Sequence, residues 1–173
     1  MRLIKDAGMG LIAGVIATAV MDIRQTTLIP TISSWAKVAR GHTPGDDLMD
    51  NADDSQPESS PEKVAHRIAN LVGVSLTRQE IGLWGNRVHW LYGPQWGAIY
   101  AILPLPRTPL AGTAFGAVLW LGSDELLLWA LGTAENPMHY PFQSHAAALG
   151  AHVVYGAVLG TMLAGLESVF LAA

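Results

Sequence analysis

The sequence predicts an all-α membrane protein, with four transmembrane helices arranged as two pseudo-repeated hairpins and one or two amphipathic interfacial helices in the first loop. Composition is the first observation behind this fold class. Half of the 173 residues are hydrophobic, only 14% are charged, and the mean hydropathy is +0.30. The second observation is a set of apolar windows that each approach or exceed the roughly 20 residues needed to cross a bilayer. These windows are residues 7–28, 82–105, 110–131 and 145–170.

The third observation is an internal repeat. Each half of the chain carries a stripe of residues at every fourth position that ends in Asp, followed after a connection by the motif His-x-x-Tyr-Gly-x-x-x-Gly. The stripes are Gly10, Gly14, Thr18 and Asp22, and Gly112, Gly116, Trp120 and Asp124. The motifs begin at His89 and His152. The repeat predicts one integral membrane domain, residues 1–173, built from two related hairpins.

The first window also has the charge pattern of a signal peptide, because Arg2 and Lys5 precede an apolar run. The run is too long for a signal peptide, and no Ala-x-Ala site follows promptly. We therefore interpret it as the first transmembrane helix.

The first loop is predicted to contain two short amphipathic helices around an acidic segment. Residues 31–40 have apolar side chains at helical spacing, which indicates an interfacial helix. Residues 41–61 are rich in Asp, Ser and Pro, which predicts a mobile acidic loop. Its Asp spacing lacks the ligand alternation and the central Gly of an EF-hand calcium site. Ser59 or Ser60 is predicted to begin the second helix. Its apolar face would be Val64, Ile68, Leu71 and Val72, against the membrane or the bundle.

Short connections predict the topology of the later spans. Pro104, Pro106 and Pro109 indicate a tight turn, so the second and third spans should be antiparallel neighbours. With four spans, both termini lie on one side of the membrane and the acidic loop lies on the other. The count of Lys and Arg favours a cytoplasmic loop, whereas the charged start of the first helix favours the reverse, so the orientation stays open.

Four polar residues are predicted to share one layer inside the membrane. Asp22 and Asp124 lie near the ends of their spans, and His89 and His152 lie near the starts of theirs, which places all four about 10 Å deep on the acidic-loop side. Such a layer has three interpretations: it binds a divalent metal through mixed N and O ligands, it carries protons, or it only joins the helices. Further candidate metal ligands are Glu125 and His145.

Haem is the other cofactor that this layer suggests, since His89 and His152 would lie at equal depth on helices that run in the same direction. The glycines that follow each His argue against haem, because they let helix backbones touch and leave little room for a macrocycle. The expected cofactor, if there is one, is therefore a divalent transition metal.

Several functional classes are not indicated by the sequence. It has no basic patch for nucleic acid and no Cys for thiolate chemistry or disulfides. It also has no Gly-x-Ser-x-Gly elbow, His-Glu-x-x-His helix or phosphate loop. Asp124 and Glu125 are adjacent, but neighbours on an α-helix diverge by about 100° and cannot form a facing acid–base pair. The sequence thus favours a protein that is not an enzyme.

The apolar segments resemble the YagU-like family of uncharacterised bacterial inner-membrane proteins. The similarity runs through 10–15, His89, Asp124, Leu131-Gly132, Pro137, Tyr140-Pro141 and 150–155, and it covers the four spans but not the acidic loop. The resemblance implies an inner-membrane location and brings no established activity with it.

Together these patterns predict a polytopic membrane protein in which the Asp and His layer binds a metal ion or protons, in transport or sensing. The alternative is a non-catalytic accessory or scaffold subunit, whose small-residue stripes pack against other membrane proteins or against copies of the chain. The predicted partners are the lipid bilayer and either a homo-oligomer or the subunits of a membrane complex.

Overall fold

The computed structural model describes residues 2–23 and 58–172, and all of the regular secondary structure in these ranges is helical. The interfacial helix predicted at 31–40 and most of the predicted acidic loop lie outside the described residues. The long helices are α1 (Arg2–Ile23), α2 (Ser60–Leu71), α3 (Arg78–Ile102), α4 (Pro109–Leu119) and α6 (Phe142–Ala172). A π-helical segment (Trp120–Leu127) and the short α5 (Leu128–Ala130) continue α4, and a 3-10 turn (Pro137–His139) precedes α6.

Local capping explains where the internal helices begin. Ser59 and Glu62 form a capping box at the start of α2, and Thr77 and Glu80 form another at the start of α3. The Thr108 hydroxyl accepts a hydrogen bond from the backbone N–H of Ala111 at the start of α4. The predicted start of the second amphipathic helix at Ser59 or Ser60 agrees with these bounds.

Of the two predicted positions for the apolar face of α2, against the membrane or against the bundle, the structure does not show the second for most of that face. Its buried residues are Ala65 and Ala69, whereas Ile68, Leu71 and Val72 are exposed. Gly85 on α3 allows this contact, because a Cβ atom there would collide with Glu62. The small residues therefore dock α2 on the bundle, Val64 is half-buried beside them, and Ile68, Leu71 and Val72 point away.

Apart from α2, the long helices form two closely packed pairs. α1 packs on α3, α4 packs on α6, and α1 also packs on α6 to join the pairs. The second and third predicted spans meet through rings, since Phe115 lies 4.8 Å from Tyr100 and 6.2 Å from Trp96 between centroids. The most deeply buried large side chains are Tyr100, Leu159 and Leu163. The core thus lies where α1, α3 and α6 meet.

Two helices are long and apolar enough to cross a membrane, and they are Leu3–Ile23 and Phe142–Phe170. The other two predicted spans lack this property for local reasons. α3 contains polar side chains such as Asn86, Arg87 and Gln95, which lower its hydropathy, and the apolar window at 110–131 is divided between α4, the π-helical segment and α5. The arrangement with four spans therefore stays a prediction.

One end of the bundle is held by an arginine in the turn between α3 and α4. Arg107 lies 3.3 Å from Asp6 of α1 and 2.9 Å from Glu167 of α6, and it donates a hydrogen bond to the carbonyl of Ala101. Since three helices meet this one guanidinium, it fixes the end of the bundle opposite to the predicted polar layer.

Candidate functional site

The first helix pair brings Asp22 and His89 together. α1 and α3 cross at glycines, because a Cβ atom on Gly10 or Gly97 would collide with the backbone of the other helix. Beyond this crossing, His89 Nε2 lies 3.9 Å from Asp22 Oδ1. The His89 Nε2 atom is shielded from solvent and has no hydrogen-bond partner in the part of the chain that the structure describes. A buried imidazole nitrogen in this state is a candidate for exchanging a proton or binding a ligand.

The second pair brings Asp124 and His152 together in a similar way. α4 and α6 also cross at glycines, and Gly116 lies directly against the backbone carbonyl of His152. His152 Nδ1 donates a hydrogen bond to the Ala148 carbonyl at 3.0 Å, so its Nε2 atom is left facing Asp124 Oδ2 at 3.5 Å. The hydroxyl of Ser123 donates a 2.8 Å hydrogen bond to the other oxygen of Asp124. The His152 ring is thereby oriented on one side and faces a carboxylate on the other.

A third pair joins Glu125 and His145. His145 Nδ1 lies 2.7 Å from Glu125 Oε1, and its Nε2 atom lies 3.0 Å from the carbonyl oxygen of Pro137. A carboxylate and a carbonyl both accept, so with Glu125 ionised both ring nitrogens donate and the imidazole is positively charged. The pair fixes the connection between α5 and α6. Glu125 and His145, the two further candidate metal ligands, are therefore partners of each other.

The π-helical segment explains how two adjacent carboxylates reach two different histidines. An α-helix would point Asp124 and Glu125 about 100° apart, whereas the wider turn of a π-helix separates neighbours by a smaller angle. The partners His145 and His152 are seven positions apart on α6, which is about 10 Å along its axis. Both carboxylates therefore face α6 from one segment.

One cavity of about 1050 Å³ lies between the helix pairs and joins these groups. Of the predicted site residues, its wall contains His89, Asp124, Glu125, His145 and His152. Asp22 stands beside the cavity through its contact with His89. The predicted layer is thus arranged as separate Asp–His pairs around a shared cavity. In residues 2–23 and 58–172, no group of three or more His, Asp or Glu side chains is placed to hold a metal ion.

Two contacts between the helices were not predicted from the sequence. The Tyr155 hydroxyl donates a 2.5 Å hydrogen bond to the Gly93 carbonyl, which links α6 to α3.

Arg67 of α2 donates hydrogen bonds to the carbonyls of Leu131 and Gly132, at the end of α5. A cation at a helix C-terminus is favourable, and only the tertiary fold brings this arginine there. The Tyr in each repeated motif is the sequence feature that could have indicated the contact of Tyr155 with Gly93.

α2 is tied to the first pair through an ion pair. Arg78 Nη1 lies 2.9 Å from Glu62 Oε1, and the backbone N–H of Ser59 donates a 2.7 Å hydrogen bond to the same carboxylate. Burial raises the pKa of Glu62, but the hydrogen bonds from Ser59 and Arg78, with the charge of Arg78, lower it by more, so the pKa lies below its usual value. α2 therefore bridges both helix pairs beside the cavity.

Comparison with known proteins finds no family model that matches the chain, no similar curated protein and no similar solved structure.

Proposed function

We propose that the chain is a membrane protein whose two Asp–His pairs bind and release protons at the wall of a shared cavity, in transport or sensing. In this proposal α1, α3, α4 with its continuation and α6 are four spans, and the helix pairs α1–α3 and α4–α6 are pseudo-repeated hairpins. The resemblance to the YagU-like family gives the location as a bacterial inner membrane. The observation that carries the proposal is the buried Nε2 atom of His89, which lies 3.9 Å from Asp22 in the cavity wall without a hydrogen-bond partner among the described residues.

The distribution of side chains on α1 supports the membrane part of the proposal. The face toward the other helices carries small residues such as Ala13 and Ala17, whereas Leu11, Ile12 and Val15 are 44%, 56% and 45% exposed. A soluble helix has the reverse arrangement, because bulky apolar side chains are buried from water. Lipid is the solvent that accommodates such an outer face.

Protons are favoured over a metal ion because the Asp and His side chains are arranged as separate pairs. Each Asp–His pair offers one carboxylate and one imidazole, and a stable divalent site needs three or four protein ligands. An imidazole next to a carboxylate, by contrast, is a common arrangement for a group that titrates near neutral pH.

The accessory-subunit interpretation has less support, because the glycine stripes are occupied within the chain. Gly10 lies against Gly97, and Gly14 lies against Gly93 and Pro94. The corresponding glycines of α4 and α6 lie against each other as well. A partner protein or a second copy would therefore have to use the bulky outer faces of the helices.

The test is a pH titration of the ring nitrogens by NMR on the full chain in detergent micelles, with ¹⁵N-labelled histidine. The proposal requires that His89 and His152 each gain or lose a ring proton within the range where imidazoles generally titrate, about pH 5 to pH 8. Asp22→Asn should shift the titration of His89 alone, and Asp124→Asn should shift that of His152 alone. His139 is exposed in the 3-10 turn, so His139→Gln serves as the control for assignment.

Two outcomes would contradict the proposal. If both rings keep one protonation state over this range, while the variants lose the fold, the pairs only join the helices. If elemental analysis of the same sample finds a stoichiometric metal that the His89→Ala, His152→Ala double variant lacks, the layer binds a metal and not protons.

A further inference from the structure

The cavity has the size and the wall of a site for a small organic molecule. Its volume of about 1050 Å³ is at the upper end of the roughly 300–1000 Å³ that ligand sites usually have. Most of the exposed wall is apolar, and it includes the aromatic rings of Tyr92, Tyr140 and Tyr155. A ligand that fills this cavity therefore needs a largely apolar body, and rings in the wall favour a cation by cation–π attraction.

The charges in the wall select the sign of the ligand. Four carboxylates line the cavity, and they belong to Glu58, Asp124, Glu125 and Glu135. The same wall contains the Lys63 ammonium and the His145 imidazolium, which is paired with Glu125, and Glu58 lies 2.9 Å from His66 Nδ1 outside the wall. With neutral His89 and His152 the wall carries two net negative charges. A low-dielectric cavity with this charge attracts a cation and repels an anion.

A compact inorganic cation does not fit this wall. Such an ion needs several oxygen ligands close together, and in the described ranges 2–23 and 58–172 no three acidic or imidazole groups cluster in that way. A cation whose charge is spread over an apolar body requires only general attraction. We propose that the cavity binds a lipophilic organic monocation, and that protons on the Asp–His pairs compete with it; this inference rests on the proposed function.

Proton binding changes the charge that the ligand meets. Protonation of both His89 and His152 adds two positive charges and cancels the net negative charge of the wall. The nearest charged groups are the pair partners Asp22 and Asp124. The other titratable side chains of the wall are Tyr92 on α3, Glu58 and Lys63 at α2, Glu125 on the π-helical segment, Glu135 and Tyr140 in the connection, and His145 and Tyr155 on α6. Both ring nitrogens of His145 are occupied by Glu125 and the Pro137 carbonyl, so the proposal assigns the exchanged protons to His89 and His152. Because coupling is reciprocal, a bound cation should release protons.

The experiment measures tetraphenylphosphonium binding by calorimetry to the full chain in detergent micelles, with empty micelles as the blank. Tetraphenylborate has a similar size and the opposite charge, so it reports apolar partition alone. We expect tetraphenylphosphonium to bind more tightly than tetraphenylborate, to bind about tenfold more weakly at pH 5.5 than at pH 7.5, and to release protons on binding.

The variants separate the site from its surroundings. Asp124→Asn removes a cavity carboxylate and should weaken tetraphenylphosphonium binding about tenfold at pH 7.5. Glu80→Gln removes an exposed carboxylate away from the cavity, and it keeps an acceptor for the Thr77 cap, so it should bind like the unaltered chain. Equal binding of the two probes, an unchanged affinity in Asp124→Asn, or no binding at all would overturn the ligand class.

This failure is distinguishable from failure of the proposed function. If His89 and His152 titrate in the NMR experiment but tetraphenylphosphonium does not bind, protons are handled without this class of ligand. If the cation binds and depends on Asp124 while neither ring titrates, the cavity is a cation site and the proposed proton function is wrong.

Discussion

The two helix pairs use the same residue types and yet meet in different registers. In the first pair, Gly10 of α1 lies against Gly97 of α3. In the second pair, the equivalent Gly112 lies against Gly156 as well as Gly160, and Gly156 is the counterpart of Gly93. The second pair is therefore shifted by about one helical turn toward its His. This shift teaches that a glycine stripe fixes how closely two helices approach, while other side chains decide where along the stripe they stop.

The shift has a consequence for the polar groups. It brings Glu125 opposite His145, whereas the equivalent positions on α1 and α3 hold Ile23 and Gly82, which cannot form such a pair. Asp124 still reaches His152 because the π-helical segment changes the direction of its side chain. In the described residues, the segments that form the second helix pair therefore have two carboxylate–imidazole contacts, Asp124 with His152 and Glu125 with His145, whereas α1 and α3 share one, Asp22 with His89.

The close approach at the glycines should produce the largest effect in both halves. Gly10→Ala and Gly156→Ala place a Cβ atom where backbone atoms of the facing helix lie, so each should destabilise the fold by about 1–3 kcal/mol. Gly8→Ala and Gly165→Ala are the matched controls, because nothing lies within 4 Å of their added Cβ atoms. These controls should be neutral or stabilising. Thermal unfolding in detergent, followed by circular dichroism, measures all four. If Gly156→Ala behaves like Gly165→Ala, the second crossing is looser than described.

The extra pair of the second half should give the next largest effect. Glu125→Ala leaves His145 Nδ1 without its acceptor, and we expect a smaller loss of stability than in Gly10→Ala or Gly156→Ala, together with faster hydrogen exchange in residues 132–141. Glu125→Gln keeps an acceptor oxygen and should lose less. The control is Glu135→Ala, an exposed carboxylate in the same connection. Equal loss in the Glu135 and Glu125 variants would mean that the pair does not hold the connection.

The sequence predicted the parts of this arrangement that depend on spacing alone. A residue every fourth position stays on one face of a helix, so the stripes and the Asp–His end of each pair follow from the repeat. Both stripes have identical spacing, so the one-turn shift between the pairs carries no signal in the sequence. The contact of Glu125 with His145 was missed for the same reason, since it requires both the shift and the π-helical turn.

The docking of α2 shows a second limit of sequence patterns. The periodicity of Val64, Ile68, Leu71 and Val72 identifies an apolar face, but periodicity alone does not say whether that face packs on the bundle or meets its surroundings. The structure buries Ala65 and Ala69 instead. Small residues allow close packing, and this preference is visible only once the surface that receives α2, with Gly85 at its centre, is known.

The two Asp–His pairs should differ in how strongly their members interact. The side chain of His152 is 9% exposed and its Nε2 atom lies 3.5 Å from Asp124, whereas His89 is 27% exposed and lies 3.9 Å from Asp22. Double-mutant cycles with Asp→Asn and His→Gln should give a coupling of about 1 kcal/mol in the second pair and a few tenths in the first. Chemical unfolding in detergent provides the free energies. A larger coupling in the first pair would reverse the order that burial predicts.

The smallest expected effect concerns α2, which is held to the two halves by different chemistry. Its bond to the first half depends on the Glu62 carboxylate, whereas Arg67 reaches backbone carbonyls of the second half that do not titrate. The pKa of Glu62 lies below its usual value of 4.5 because its hydrogen bonds outweigh the effect of burial. A lowered pKa in the folded state means that this contribution is complete above about pH 4.5 and is lost as the pH falls through the folded-state value.

Acid should therefore release α2 from the first half before the second. We expect the amide resonances around Arg78 and Gly85 to shift as the pH is lowered below 4.5, while those of Leu131 and Gly132 stay unchanged. Glu62→Gln should remove this pH dependence and weaken docking by a few tenths of a kcal/mol, because the Glu62–Arg78 pair is partly exposed. Arg67→Gln should leave the acid transition in place and loosen only the second contact. Simultaneous loss of both contacts on acidification would mean that α2 docks as one cooperative unit, and that the difference between the halves does not extend to the helix that bridges them.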